Sequence, residues 1–135
     1  MRLLIALTAA AGLALALAAI SGASATTRLA VSPKHGRVHT TFTISFRAEY
    51  PASKAAGSQY VIGAVNSGDC RRGVSSFGRI STGPYRVGQT VRFVLRAPRH
   101  GWCVGVFHGV GHWQKRVGDR VRDVRVGRFA FRVVG

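Results

Sequence analysis

The side chains that could do chemistry are few and far apart. Five histidines (His35, His39, His100, His108 and His112) raise the question of a metal site. His108 and His112 fall on one face if Trp102 to Trp113 is a single strand. Four strand residues span about 13 Å, however, which is too far for both rings to reach one ion. His35 and His39 flank Gly36 in a turn-forming stretch, with no Cys, Met or carboxylate beside them to complete a coordination shell. The expectation is therefore no metal and no cofactor.

Catalysis has equally little to work with. Glu49, Asp69, Asp119 and Asp123 are the only carboxylates, and each stands in a separate segment. No pair is spaced for general acid and base work, and neither a G-x-S-x-G elbow nor a phosphate-cradling glycine loop is present. A Ser/His/Asp group assembled by folding would be recognised by geometry alone. The sequence predicts a chain that is not an enzyme.

Cys70 and Cys103 are the only cysteines. They are too far apart for a C-x-x-C redox pair, and two thiols fall short of the four ligands of a structural zinc site. In an exported chain they are expected to form one disulfide. Closing a loop with a sequence separation of 33 would stabilise the fold by about 3–4 kcal/mol in the chain-entropy account.

Export is suggested by residues 1–25. Met1-Arg2 supplies a positive start, Leu3 to Ile20 is a continuous Leu/Ala-rich run, and Ala23-Ser24-Ala25 has the small-x-small pattern of a signal-peptidase site. The alternative is a retained N-terminal anchor, because the run approaches the ~20 residues that span a bilayer. Downstream of it no apolar run reaches that length, so the processed chain is expected to carry no integral membrane segment. Residues 26–135 are enough for one domain.

The elements that must position these side chains are strands. Phe42, Ile44, Phe46 and Ala48 alternate with Thr41, Thr43, Ser45 and Arg47. Val91, Phe93, Leu95 and Ala97 alternate with Arg92 and Arg96, and Phe129, Phe131 and Val133 with Arg128, Ala130 and Arg132. Period two of this kind marks half-buried strands. Weaker strands are expected over 28–31, 60–65, 77–80, 102–113 and 121–126. Turn-forming groups such as Ser32-Pro33-Lys34 and Ala97-Pro98-Arg99-His100-Gly101 separate them, and a hairpin loop is expected over 114–120. The expected architecture is all-β: an antiparallel sandwich of about seven strands with one disulfide.

Several runs carry a resemblance: Val31-Ser32-Pro33, Thr40 to Phe46, Gly83-Pro84-Tyr85-Arg86-Val87-Gly88-Gln89, Gly101-Trp102-Cys103-Val104-Gly105 and Val126-Gly127-Arg128-Phe129. Together the chain resembles small exported immunoglobulin-like sandwich proteins of high-GC bacteria. That resemblance implies a fold and a compartment for residues 26–135, and no activity. The chain departs from a true immunoglobulin domain in having Gly101 where a tyrosine corner needs Tyr, and in having no Trp at the strand-C spacing after Cys70.

Two surfaces are candidates for binding. If Cys103 points inward with Gly105, Phe107, Gly109, Gly111 and Trp113, the opposite face carries Trp102, Val104, Val106, His108, Val110 and His112. That is an apolar ridge suited to a partner, unless a bulge at one of the glycines swaps the faces. The second candidate is charge: Lys and Arg total 20 against 4 acidic residues, a net of +16, and only Arg2 lies in the leader. Arg92, Arg96, Arg128 and Arg132 are candidate contacts for anionic polymers. Without a recognition helix, zinc finger or aromatic stacking strip, sequence-specific nucleic-acid binding is not expected. The function expected is a secreted structural or adhesive domain that associates with an extracellular protein or a cell-envelope partner. The alternative is a binder of anionic polymers, or of metal, through its Arg- and His-rich surface.

Overall fold

The computed structural model of the chain describes residues 27–68 and 70–135. The expected leader, 1–25, and the domain boundary after it lie outside the described residues. Eight strands and no helix are found among the described residues: β1 (Ala30–Ser32), β2 (His35–Arg37), β3 (Phe42–Arg47), β4 (Ser58–Asn66), β5 (Ser76–Ser81), β6 (Thr90–Leu95), β7 (Gly105–Val117) and β8 (Arg120–Val134). They form a three-stranded sheet in the order β1-β3-β6 and a five-stranded sheet in the order β2-β8-β7-β4-β5.

Alternation accounts for the core. Phe42 and Ile44 of β3, Val91, Phe93 and Leu95 of β6, and Phe129, Phe131 and Val133 of β8 are all buried, while Arg92, Arg128 and Arg132 between them are exposed. The two sheets meet where Phe42 of one stacks on Phe131 of the other, with ring centroids 4.2 Å apart. Phe107 stacks on Phe131 from within the larger sheet at 4.8 Å. Inward-facing glycines on β7 make room for these rings and for Leu29. A Cβ on Gly109 would collide with the Phe129 ring, and one on Gly111 would come within 3.0 Å of Leu29.

β8 is longer than the pattern predicts. The segments expected at 121–126 and 128–134 are one strand, and the expected loop over 114–120 shrinks to Gly118-Asp119 because β7 and β8 stay paired down to Val117 and Arg120. Gly118 has φ 62°, which suits the first central position of a tight hairpin. A register shift opposite Gly111 and His112 leaves Val126 as an extra residue on β8, so that Val126 and Gly127 are both buried. The bulge is on β8, and β7 keeps its alternation unbroken from Phe107 to Trp113.

The pairing is not wholly antiparallel as expected, since β2 runs parallel to β8. The N-terminal segment weaves between the sheets. Arg28 lies parallel to Arg128, β1 then pairs with β3, and β2 returns to β8. This covers the outer edge of β8, which would otherwise present unpaired backbone groups.

Cys70 and Cys103 are joined as expected, with Cα atoms 5.6 Å apart. The bridge ties the β4–β5 connection to the chain just before β7.

Candidate functional site

The outer face of the five-stranded sheet carries Val65 and Ile80, two of the exposed large apolar side chains; Val94 is exposed on the three-stranded sheet and Val87 in the connection between β5 and β6. On β7 the outward residues are Val106, His108, Val110, His112 and Gln114, because Phe107, Gly109, Gly111 and Trp113 point in. The register sets Val65 of β4 beside His108, Gly63 beside Val110 and Val61 beside His112. Ile80 of β5 pairs with Val61. Val65 and Ile80 are 60% and 62% exposed, and Val61, Val106 and Val110 are half-buried. Aliphatic side chains are therefore spread across β5, β4 and β7, with Gly63, His108 and His112 between them.

β8 borders this set with cations. Arg132 pairs with Val106, Ala130 with His108, Arg128 with Val110 and Arg125 with His112. The bulge brings Asp123 to this border as well, where one of its carboxylate oxygens lies within hydrogen-bonding distance of His112 Nδ1, at 3.1 Å. The face thus joins exposed valine and isoleucine to three arginines and a free-standing His108.

The four candidate arginines do not converge. Arg128 and Arg132 lie on this face, whereas Arg92 is paired with Ser45 in the three-stranded sheet and, with Arg96 just beyond β6, is exposed on that sheet's side. The ridge expected on the β7 segment also needs correction. Val106 and Val110 hold their places, and Val104 is exposed at the rim ahead of β7. Trp102 is not on the surface but 2% exposed. Its indole packs edge-on against Phe42, Phe77, Phe107 and Phe131, and its Nε1 donates to Thr40 O at 2.8 Å.

The cause is local. The strand starts at Gly105, where φ is 131° and a Cβ would meet Asn66 Oδ1 at 2.7 Å. Buried Asn66 donates from Nδ2 to the carbonyls of Cys103 and Val104 and accepts from Gly68 N–H at 2.8 Å. Ahead of that break the chain runs between Val38 and Val74, taking hydrogen bonds from a different register. Trp102 and Cys103 both turn inward as a result.

Sequence reasoning missed Val61, Val65 and Ile80, although the alternation of β4 carried the signal. It also missed Arg28 and Lys34. The weave of the N-terminal segment leaves a cleft of about 640 Å³ between residues 28–34 and β8, lined by Arg28, Lys34, His108 and Arg128 around a floor that includes Leu29 and Ala130. At the far end of the domain, Arg122 lies over the stacked rings of Tyr50 and Trp113, 6.0 and 5.6 Å from their centroids. Among the described residues no three His, Cys, Asp or Glu side chains come together as a metal site, and no helix is long and apolar enough to cross a membrane.

Among the described residues, Tyr60 is the one group whose proton affinity is clearly moved. Burial pushes its phenol above the ordinary value, and the negative charge of Glu49 adds to this. The hydrogen bond it receives from Tyr50 N–H acts the other way. It lies in the core and has no part in the outer face. Against protein-family models, curated proteins and solved structures alike, the chain shows no match.

Proposed function

We propose that this is an exported, non-enzymatic domain of immunoglobulin-like sandwich type that attaches to anionic cell-envelope material through the outer face of its larger sheet. The fold reading is supported by strand order. The order β1-β3-β6 corresponds to A-B-E of such domains, and β8-β7-β4-β5 to G-F-C-C′. Export is supported by the leader pattern and is consistent with a disulfide.

The observation that carries the functional reading is the combination on one face of exposed Val65 and Ile80 with a border of Arg125, Arg128 and Arg132. Long-range attraction between that border and a polyanion would raise the encounter rate, and burial of the aliphatic side chains would hold the complex once formed. The net charge of +16 favours a second reading, in which diffuse attraction over both sheets holds the chain to any anionic polymer.

Salt and substitution separate the two. Purified protein is incubated with isolated envelopes of the producing cells, and the retained fraction is measured at about 0.05 M and about 1 M salt, where the screening length falls to roughly 3 Å. The face reading expects retention that survives high salt and is lost in Val65→Asp and Ile80→Asp, while Arg92→Gln/Arg96→Gln behaves as the parent. Complete release by salt with no effect of Val65→Asp or Ile80→Asp would refute it.

A further inference from the structure

The cleft beside β8 has the chemistry of an oxyanion receptor. Arg28 and Arg128 are lateral neighbours in a parallel bridge and both are exposed. Two like charges directly opposite on adjacent strands are destabilising, and an anion between them would relieve this. Backbone bonds fix their placement: Leu29 N–H donates to Arg128 O at 2.9 Å and Arg128 N–H to Thr27 O at 3.0 Å. The backbones that carry the two guanidinium groups are thus held side by side at the sheet edge.

Lys34 and His108 line the same cleft. His108 is paired with Ala130, one step along the outer face from Arg128. None of the described carboxylates lines the cleft, and Asp123 is hydrogen-bonded to His112 outside it. Two planar forks and an ammonium around one space suit a tetrahedral oxyanion carrying more than one negative charge, for which guanidinium gives paired hydrogen bonds. The floor contributed by Leu29, Ala30, Val31 and Ala130 is aliphatic and small, so it leaves room for a short carbon body attached to the anion.

We infer that this cleft binds a phosphoryl group carried on a short carbon body. The inference deepens the reading of the larger sheet as an envelope-binding face, with whose arginine border the cleft is continuous, and it names the chemistry recognised there.

The test is a titration of the isotopically labelled chain, followed by amide chemical shifts, with inorganic phosphate, glycerol 3-phosphate and acetate at constant ionic strength. Saturable shifts are expected at residues 27–34, 108 and 128–130, with glycerol 3-phosphate at least tenfold tighter than acetate. Arg28→Gln and Arg128→Gln should each weaken glycerol 3-phosphate at least fivefold, and Arg92→Gln less than twofold. Both cleft variants keep the backbone bonds of the edge, and their unchanged spectra elsewhere report that they fold. Equal affinity for acetate, or equal weakening by Arg92→Gln, would overturn the proposal in favour of unspecific attraction.

Separate arms with a soluble glycerol-phosphate polymer and with phosphatidylglycerol vesicles tell a wall polymer from a lipid headgroup. Protection of Arg28 and Arg128 by either supports the site, and by neither overturns it. Envelope retention is measured on the same variants. Retention that is intact in Arg28→Gln, together with no saturable phosphate binding by the parent, ends the cleft proposal alone. Phosphate binding without envelope retention ends the face reading and leaves the cleft.

Discussion

Replacing Trp102 separates its observed place in the core from the surface place that simple alternation assigns it. In the structure the indole is 2% exposed and is ringed by Phe42, Phe77, Phe107 and Phe131 at centroid distances of 6.4, 5.6, 5.7 and 6.2 Å. Trp102→Ala removes this side chain from a packed site that can collapse only in part, a change that costs about 3–5 kcal/mol. Trp102→Phe keeps most of the packing and loses the 2.8 Å bond to Thr40 O. Because Thr40 is only partly buried, water can take up that carbonyl, and the cost is about 1–2 kcal/mol. The assay is urea unfolding followed by far-ultraviolet circular dichroism, with the midpoint compared at unchanged slope. The alanine variant should also melt at least about 12 °C below the parent. Should it fail to fold, the phenylalanine variant carries the test. A loss within about 0.5 kcal/mol for Trp102→Ala is what an exposed ridge residue would show, and would refute the reasoning.

Other consequences follow from the same packing. Removing the disulfide in Cys70→Ala/Cys103→Ala should cost about 3–4 kcal/mol by loop entropy, and reducing the parent chain should reproduce that loss in a urea titration; a change below about 1 kcal/mol would contradict it. Tyr60, whose phenol burial raises, should contribute stability that is intact below about pH 10, the phenol's unfolded value, and is lost as pH climbs from there toward the higher folded value. Unfolding measured from pH 8 to 11 should show this alkaline decline in the parent and a shallower one in Tyr60→Phe, and equal slopes would exclude Tyr60 as its source. Gly109→Ala forces a Cβ into the Phe129 ring and should cost about 1–3 kcal/mol. Gly118→Ala meets no atom within 4 Å, so calorimetry should find only a backbone cost near 1 kcal/mol for its positive φ.

The sheet layers were readable from the residues because Phe42, Phe93 and Phe131 each stand in a run of large apolar residues at period two, with Thr41 and Thr43, Arg92, and Arg132 among the residues between. The disulfide followed from there being two cysteines and a leader-like start. Trp102 was not readable, because its direction is set by Asn66, 36 residues earlier in sequence and close in space, and by the positive φ of Gly105. Arg28 beside Arg128 depends on a parallel bridge between the two ends of the domain, and no local pattern encodes such pairing. The bulge at Val126 and Gly127 was hidden for a related reason. The sequence pattern ends one strand at Val126 and starts the next at Arg128, whereas the chain runs straight through and the register skips Val126, with Gly111 opposite Gly127 and His112 opposite Arg125. The apolar character of the outer face could have been found from β4 alone, since Val61, Gly63 and Val65 occupy the face opposite Tyr60, Ile62 and Ala64.

Whether the outer face of the larger sheet is the contact surface can be measured by residue-resolved chemical labelling on isolated envelopes. Phenylglyoxal reports arginines and diethyl pyrocarbonate reports histidines, each read by mass spectrometry with and without envelope. The prediction is that Arg125, Arg128, Arg132 and His108 become protected while Arg92, Arg96, His39 and His100 keep their free reactivity. Uniform protection of both groups, or protection confined to Arg92 and Arg96, would contradict it.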